Sequence, residues 1–213
     1  MDAVRVALLR DVLSGTEWLP STRRFAGSLR ASVTPRGGGL LLVGTERHEP
    51  WHLAAHLDDE AAWSGMTELS PTLVRHRVPH GAPAHLSYGL RRLEAAGRNE
   101  TLLVVAPDTP GAGLLERVHD ARREGATVLT LEQARAEPSE LRDMAHDALT
   151  ANPGELDLDT LQHLVSAAAG EAGPGPGGHS GTPNLPTAHR TRRFRDRLSR
   201  LADQLTSPPP PRW

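Results

Sequence analysis

The chain contains no cysteine, no lysine and no isoleucine, and only 3% of its 213 residues are aromatic. Without cysteine there is no disulfide framework, no thiol nucleophile and no thiolate metal site. All 24 basic residues are arginine, a bias that speaks of codon usage rather than chemistry. No apolar run approaches the roughly 18 residues that mark a membrane span. Asp2, Arg5, Arg10 and Asp11 interrupt the apolar positions near the start, so that stretch does not read as a secretory signal. A cytoplasmic location is expected. No Walker string is present and no Gly-x-Gly-x-x-Gly follows a predicted strand, so no nucleotide or other cofactor is expected.

What is present is unevenly distributed. Residues 1–187 carry 17 Arg against 24 acidic groups, a net −7, while residues 188–213 carry 7 Arg against 2 Asp, a net +5. An acidic body with a basic end can bind an outside polyanion, or the end can fold back on its own domain.

The stretch Glu100–Gln133 carries the clearest pattern. Thr101–Ala106 is a short apolar run, and Pro107–Gly113 holds two Pro and two Gly. Leu114, Leu115, Val118 and Ala121 recur at helical spacing, Gly125 stops the helix, and Thr127–Leu131 resumes a β pattern. Strand, helix and strand in this order make a βαβ crossover with parallel strands. Leu40–Gly44 is another wholly apolar run, as expected of a strand buried on both faces. Pro50 suits the first turn of a following helix that Gly65 ends. Further strands are predicted over 73–78 and 148–151. Helices are predicted over 2–14, 21–33, 84–96, 138–147 and 157–169. The arginines at 75 and 77 place the 73–78 strand near a sheet edge. Ser139 reads as a helix cap.

From Gly170 to Pro186 the chain has six Gly and four Pro in 17 residues, a composition that builds no core and reads as a linker. The domain plan is therefore an N-terminal helical segment (1–35), an α/β domain (36–169), a Gly/Pro-rich linker (170–187), a basic amphipathic helix (188–205) and a Pro-rich tail (206–213). In the basic helix, Phe194, Leu198, Leu201 and Leu205 form a stripe beside Arg193 and Arg197. Docking to a protein partner, or to the chain's own acidic domain, is the favoured reading. Nucleic acid and an anionic membrane are the lesser ones.

The order of elements in 36–150 resembles the sugar isomerase (SIS) domain. Ala121-Arg-Arg-Glu-Gly-Ala126 followed by a strand resembles that family's helix–strand boundary, and Leu141-Arg-Asp-Met-Ala-His146 its approach to the last strand. The resemblance implies a three-layer α-β-α, Rossmann-like fold around a mainly parallel, about five-stranded sheet. It also implies a phosphosugar pocket where the loops after the first and third strands meet, and a homodimer. The family's ligand motifs are replaced, however. Glu46 stands where a second Gly belongs and His48 where a hydroxyl belongs. Ala106 and Asp108 replace two serines, and Thr109 a glycine. Thr45, Arg47, His48, Thr109, Gly111 and Gly113 are the expected ligand-binding residues. His48 and Glu46 are candidate acid–base groups should an isomerase activity persist. The leading expectation is a non-catalytic or weakly ligand-binding module with a regulatory or scaffolding role. An active phosphosugar isomerase with replaced motifs and a purely structural interaction protein are the alternatives.

His48-Glu-Pro-Trp-His52 matches the HExxH string of zinc peptidases. That chemistry needs both imidazoles on one continuous helix, and Pro50 disfavours helical geometry at Glu49. His52 and His56, one turn apart, are weaker metal candidates. With Asp59 and Trp63 they lie opposite the apolar stripe of their helix, on a face expected to be solvated, with Trp63 open to a partner. His119, His146 and His163 read as isolated histidines.

Overall fold

The computed structural model describes Leu13, residues 16–33 and residues 39–170. The predicted helix over 2–14 (Leu13 apart), the linker, the basic helix and the Pro-rich tail lie outside the described residues. The first described helix, α1 (Trp18–Ser32), leads into β1 (Gly39–Gly44) and α2 (Trp51–Ser64). Next come a 3₁₀ turn (Thr67–Leu69), β2 (Pro71–Val74), a second 3₁₀ turn (Ala84–Leu86) and α3 (Arg91–Glu94). The remainder alternates as β3 (Glu100–Ala106), α4 (Ala112–Arg123), β4 (Thr127–Gln133), α5 (Glu140–Met144), β5 (Asp147–Ala151) and α6 (Leu158–Ala169).

The five strands form one parallel sheet in the order β2-β1-β3-β4-β5. Parallel neighbours need crossovers, and the crossover helices cover both faces of the sheet. Leu40, Leu42, Leu103, Val105, Leu129 and Leu131 face a core shared with α1, α2 and α6. Leu41, Val43, Leu102, Val104 and Val128 face a second core shared with α3, α4 and α5. This two-sided burial explains why β1 and β3 are continuous apolar runs rather than alternating ones. No helix among the described residues is long and apolar enough to cross a membrane.

Local signals end the elements where physical chemistry expects. Gly65 adopts a left-handed φ of 74° and its N–H closes α2 on the Ala61 carbonyl, a conformation glycine enters without a Cβ penalty. Ser139 caps α5 by accepting from the Arg142 N–H. Asp157 caps α6 by accepting the Thr160 N–H at 2.8 Å.

Two predicted elements are corrected. The helix expected over 84–96 is broken into the 3₁₀ turn and the four-residue α3. The intervening chain is drawn to the sheet edge instead. The Arg75 N–H donates to the Tyr88 carbonyl at 2.8 Å, and Arg75 bridges Gly89 in parallel sense. Tertiary pairing thus overrides the leucine spacing. The strand expected over 73–78 runs only over Pro71–Val74. It is an edge strand, as its charge suggested, and it ends where Arg75 turns its side chain toward Glu49 at 2.5 Å.

β3 is buried at every position and pairs with both β1 and β4. Leu103, 0% exposed, sits in the middle of that strand. Leu103→Ala should destabilise the chain by about 2–5 kcal/mol, the cost of lost transfer energy plus an unfilled cavity. Urea unfolding should show a lowered midpoint with unchanged slope.

Candidate functional site

The connection β1→α2→β2 runs to one side of the sheet, and β3→α4→β4 to the other. The direction reverses between β1 and β3, and in open α/β sheets the crevice beyond such a switch point is where ligands bind. Both expected ligand loops leave the sheet there, level with one another, since Gly44 pairs with Val105.

The first loop is folded tightly against its own strand. A Cβ on Gly44 would lie 1.8 Å from the His48 carbonyl oxygen and 2.8 Å from Pro50 Cδ. The His48 N–H donates to the Thr45 carbonyl at 3.2 Å, closing a turn over Glu46 and Arg47. The Gly44 carbonyl lies 2.9 Å from His76 Nε2, tying the loop to the chain after β2. A hollow of about 420 Å³ opens here, lined by Thr45, Glu46, Arg47, Glu49, His76 and Arg77 among others.

Its charges are largely paired. Glu46 holds Arg77 at 3.0 Å, an exposed pair worth little to stability. Glu49 holds the largely buried Arg75 at 2.5 Å, and the Arg75 guanidinium lies 5.4 Å from the Trp51 ring centroid, in cation–π range. Arg47 makes no ion pair among the described residues. The Thr45 hydroxyl is buried without a hydrogen-bond partner, and so is His48 Nε2.

The second loop serves a different hollow, of about 430 Å³, lined by Thr109, Pro110, Leu115, Arg135, Ser139 and Leu141 among others. Gly111 is the N-cap of α4 and no side chain caps that helix. The Gly113 carbonyl accepts from Arg117 at 2.7 Å. Asp108 Oδ1 is buried without a partner. The expected single pocket is therefore corrected: Thr45 and Arg47 line one hollow and Thr109 another. Each loop lines its hollow with the chain after its neighbouring outer strand, β2 for the first and β4 for the second.

The candidate acid–base pair is not assembled for proton transfer. Glu46 is held by exposed Arg77, while His48 Nε2 is enclosed. His48 lies in the loop and α2 begins at Trp51, so the HExxH string is not a helical zinc motif, as Pro50 implied. Among the described residues no group of three His, Cys, Asp or Glu is placed to hold a metal.

His52 is exposed, but the face it shares with His56 is not wholly solvated. His56 meets His163 of α6 edge-on, with ring centroids 4.6 Å apart, and His163 is half-buried. Burial, reinforced by the nearby His56 and His52, pushes His163 down to about 4, against the opposing pull of Asp159 and Asp157. Burial also lowers His56, with His52 adding to it and Asp59 opposing. Trp63 is 58% exposed. Arg193, Phe194, Arg197, Leu198 and Leu201 lie outside the described residues.

Sequence reasoning missed Glu49, His76 and Arg135 as cavity-lining groups. His76 was visible only as one of three irregularly spaced histidines with His80 and His85, and nothing in the sequence around Arg135 signalled a cavity.

The fold has solved counterparts. The sugar isomerase domain of the RpiR transcription factor from Sphaerobacter thermophilus is 13% identical and matches with a TM-score of 0.50 over 96% of this chain and 98% of its own. A phosphoheptose isomerase from Francisella tularensis is 12% identical, with a TM-score of 0.45 over 92% of each chain. The Vibrio vulnificus NanR protein, solved in complex with ManNAc-6P, is 11% identical, with a TM-score of 0.44 over 96% of this chain and 73% of its own. No family model and no curated protein matches this chain. The first likeness identifies the architecture as a SIS-like α/β fold.

Two outcomes follow from this geometry. Gly44→Ala cannot keep the loop against the strand and should lower the melting temperature, whereas Gly111→Ala, with nothing within 4 Å of the added Cβ, should change it little. The second outcome concerns pH. A histidine whose folded pKa lies near 4, below its unfolded value of 6.5, leaves the folded state binding fewer protons. Its stabilising contribution is full above pH 6.5 and is lost as pH falls toward 4. Melting temperature should therefore drop between pH 6.5 and 5, and His163→Gln should flatten that drop.

Proposed function

We propose that this chain is a SIS-like binding module with a regulatory or scaffolding role, taking a phosphosugar or other carbohydrate derivative at the sheet edge without isomerising it. The observation that carries the reading is the hollow between the loop after β1 and the chain after β2. Arg47 lines it, exposed and without an ion pair among the described residues. A cation without an ion pair, set beside two carboxylates and a second arginine, suits orienting a polar ligand. A general acid and base within reach of one substrate would be needed for isomerisation. The enclosure of His48 Nε2 speaks against that.

The partner side of the proposal rests on two surfaces. The Trp63 face of α2 is a candidate contact for a second copy, giving a homodimer. The basic segment over 188–205 is a candidate for docking to a protein partner, since only one aromatic sits among its arginines to stack on bases.

The test is a thermal-shift screen of the full chain against sugars, sugar acids and sugar phosphates. A ligand that binds only the folded state raises the melting temperature by mass action, about 2.7 kcal/mol at a hundredfold excess over Kd. At least one class should produce a shift, reduced by Arg47→Ala, with no aldose–ketose conversion of the bound sugar. Turnover lost in His48→Ala would overturn the non-catalytic assignment. A shift untouched by Arg47→Ala would overturn the location.

A further inference from the structure

The fold draws three histidines to the seam between α2 and α6, two helices that pack against each other. His52 and His56 stand one turn apart on α2, and His163 stands on α6. The rings of His56 and His163 meet at 75° with their centroids 4.6 Å apart. His52 lies close enough for its charge to act on both other rings. Both helices bury leucines in one core, Leu53 and Leu57 from α2, Leu161 and Leu164 from α6. An apolar residue at 163 would extend that core. Instead the position holds an imidazole whose Nδ1 is buried with no hydrogen-bond partner. A buried polar atom left unpaired costs stability, and an ion is one way of repaying it.

The surroundings suit a cation. Asp59 on α2 acts on His56, and Asp157 and Asp159 on α6 act on His163, so three carboxylates bias the seam toward positive charge. Burial holds His163 near 4, so at neutral pH its ring is in the uncharged form that ligates metals. Two imidazoles sharing a tetrahedral zinc at about 2.0–2.1 Å each have nitrogens about 3.3 Å apart and ring centroids roughly 5 Å apart. The separation of His56 from His163 is within about 1 Å of that, so a small turn of the rings makes the edge contact a chelate. As the side chains stand, no three ligand groups converge among the described residues. His52 is exposed and has room to turn toward His56, about 5–6 Å away between Cβ atoms across one helical turn.

We propose that the α2–α6 seam binds a late first-row divalent cation, zinc, nickel or copper, held by His56 and His163 and completed by His52. Imidazole ligands select this group of metals, whereas magnesium and calcium take oxygen ligands. The ion ties α2 to α6, and the site is independent of the carbohydrate reading of the sheet edge.

Metal titration of the full chain, stripped with a chelator, tests this. Zinc and nickel are added up to about 1 mM, a range that covers micromolar to submillimolar affinity, with magnesium as the control. Equilibrium dialysis counts the bound ion and a thermal shift reports its effect on the fold. Zinc and nickel should each bind with a single strong site and raise the melting temperature, and magnesium should do neither. His56→Gln and His163→Gln should each weaken zinc binding by about tenfold or more, His52→Gln should weaken it less, and His119→Gln, on exposed α4, should leave it unchanged. The copper-loaded chain should show nitrogen hyperfine structure in its electron paramagnetic resonance spectrum, reduced in His56→Gln. Circular dichroism checks that each variant is folded, and if His163→Gln is not, the double variant of His52→Gln and His56→Gln carries the test. The proposal is overturned if neither zinc nor nickel binds, if magnesium binds as well as they do, or if folded His56→Gln binds zinc as tightly as the parent chain.

Discussion

The pairing of β1 with β3 is the constraint on which the rest of the structure depends. Both strands are buried almost throughout, so helices must cover each face, and every connection must be a crossover rather than a hairpin. Because β2 lies on the outer side of β1 while β4 lies beyond β3, the chain reverses its winding at this pair. The crevice follows from that reversal. The two hollows lie to either side of it, one between the chain after β1 and β2 and the other between the chain after β3 and β4.

Much of the architecture was legible in the sequence because it rests on local rules. Leu40–Gly44, Thr101–Ala106 and Thr127–Leu131 read as strands because burial on both faces demands uninterrupted apolar residues. Gly65 and Pro50 bracket α2 because one enters left-handed geometry freely and the other needs no N–H partner. The helix expected over 84–96 failed for a non-local reason. Its leucines keep helical spacing, but residues 88 and 89 find backbone partners at Arg75 on the sheet edge, and no window of sequence encodes that pairing. Which side chains meet depends on ion pairs between residues 26 and 31 positions apart, Glu49 with Arg75 and Glu46 with Arg77. The contact of His56 with His163, across two helices, was hidden in the same way.

Buried carboxylates at both ends of the sheet show how the chain manages charge in a core it cannot hydrate. At the N-terminal end of β3, Glu100 accepts the Gly97 N–H at 3.1 Å and pairs with Arg92. At the C-terminal end of β4, Glu132 is 0% exposed. It accepts the Ser139 hydroxyl at 2.6 Å and lies 3.3 Å from Arg142 Nε. A buried charge stripped of such partners costs several kcal/mol, although the intact pair need not stabilise relative to an apolar replacement. These groups therefore act as fixed points. Glu132 anchors the turn between β4 and α5, and Glu100 the approach to β3.

The same economy governs the candidate site. An edge built to receive a phosphate offers hydroxyl and amide donors with no competing anion. Here the donors are guanidinium groups, and two of the three nearest the hollow, Arg75 and Arg77, are already held by Glu49 and Glu46.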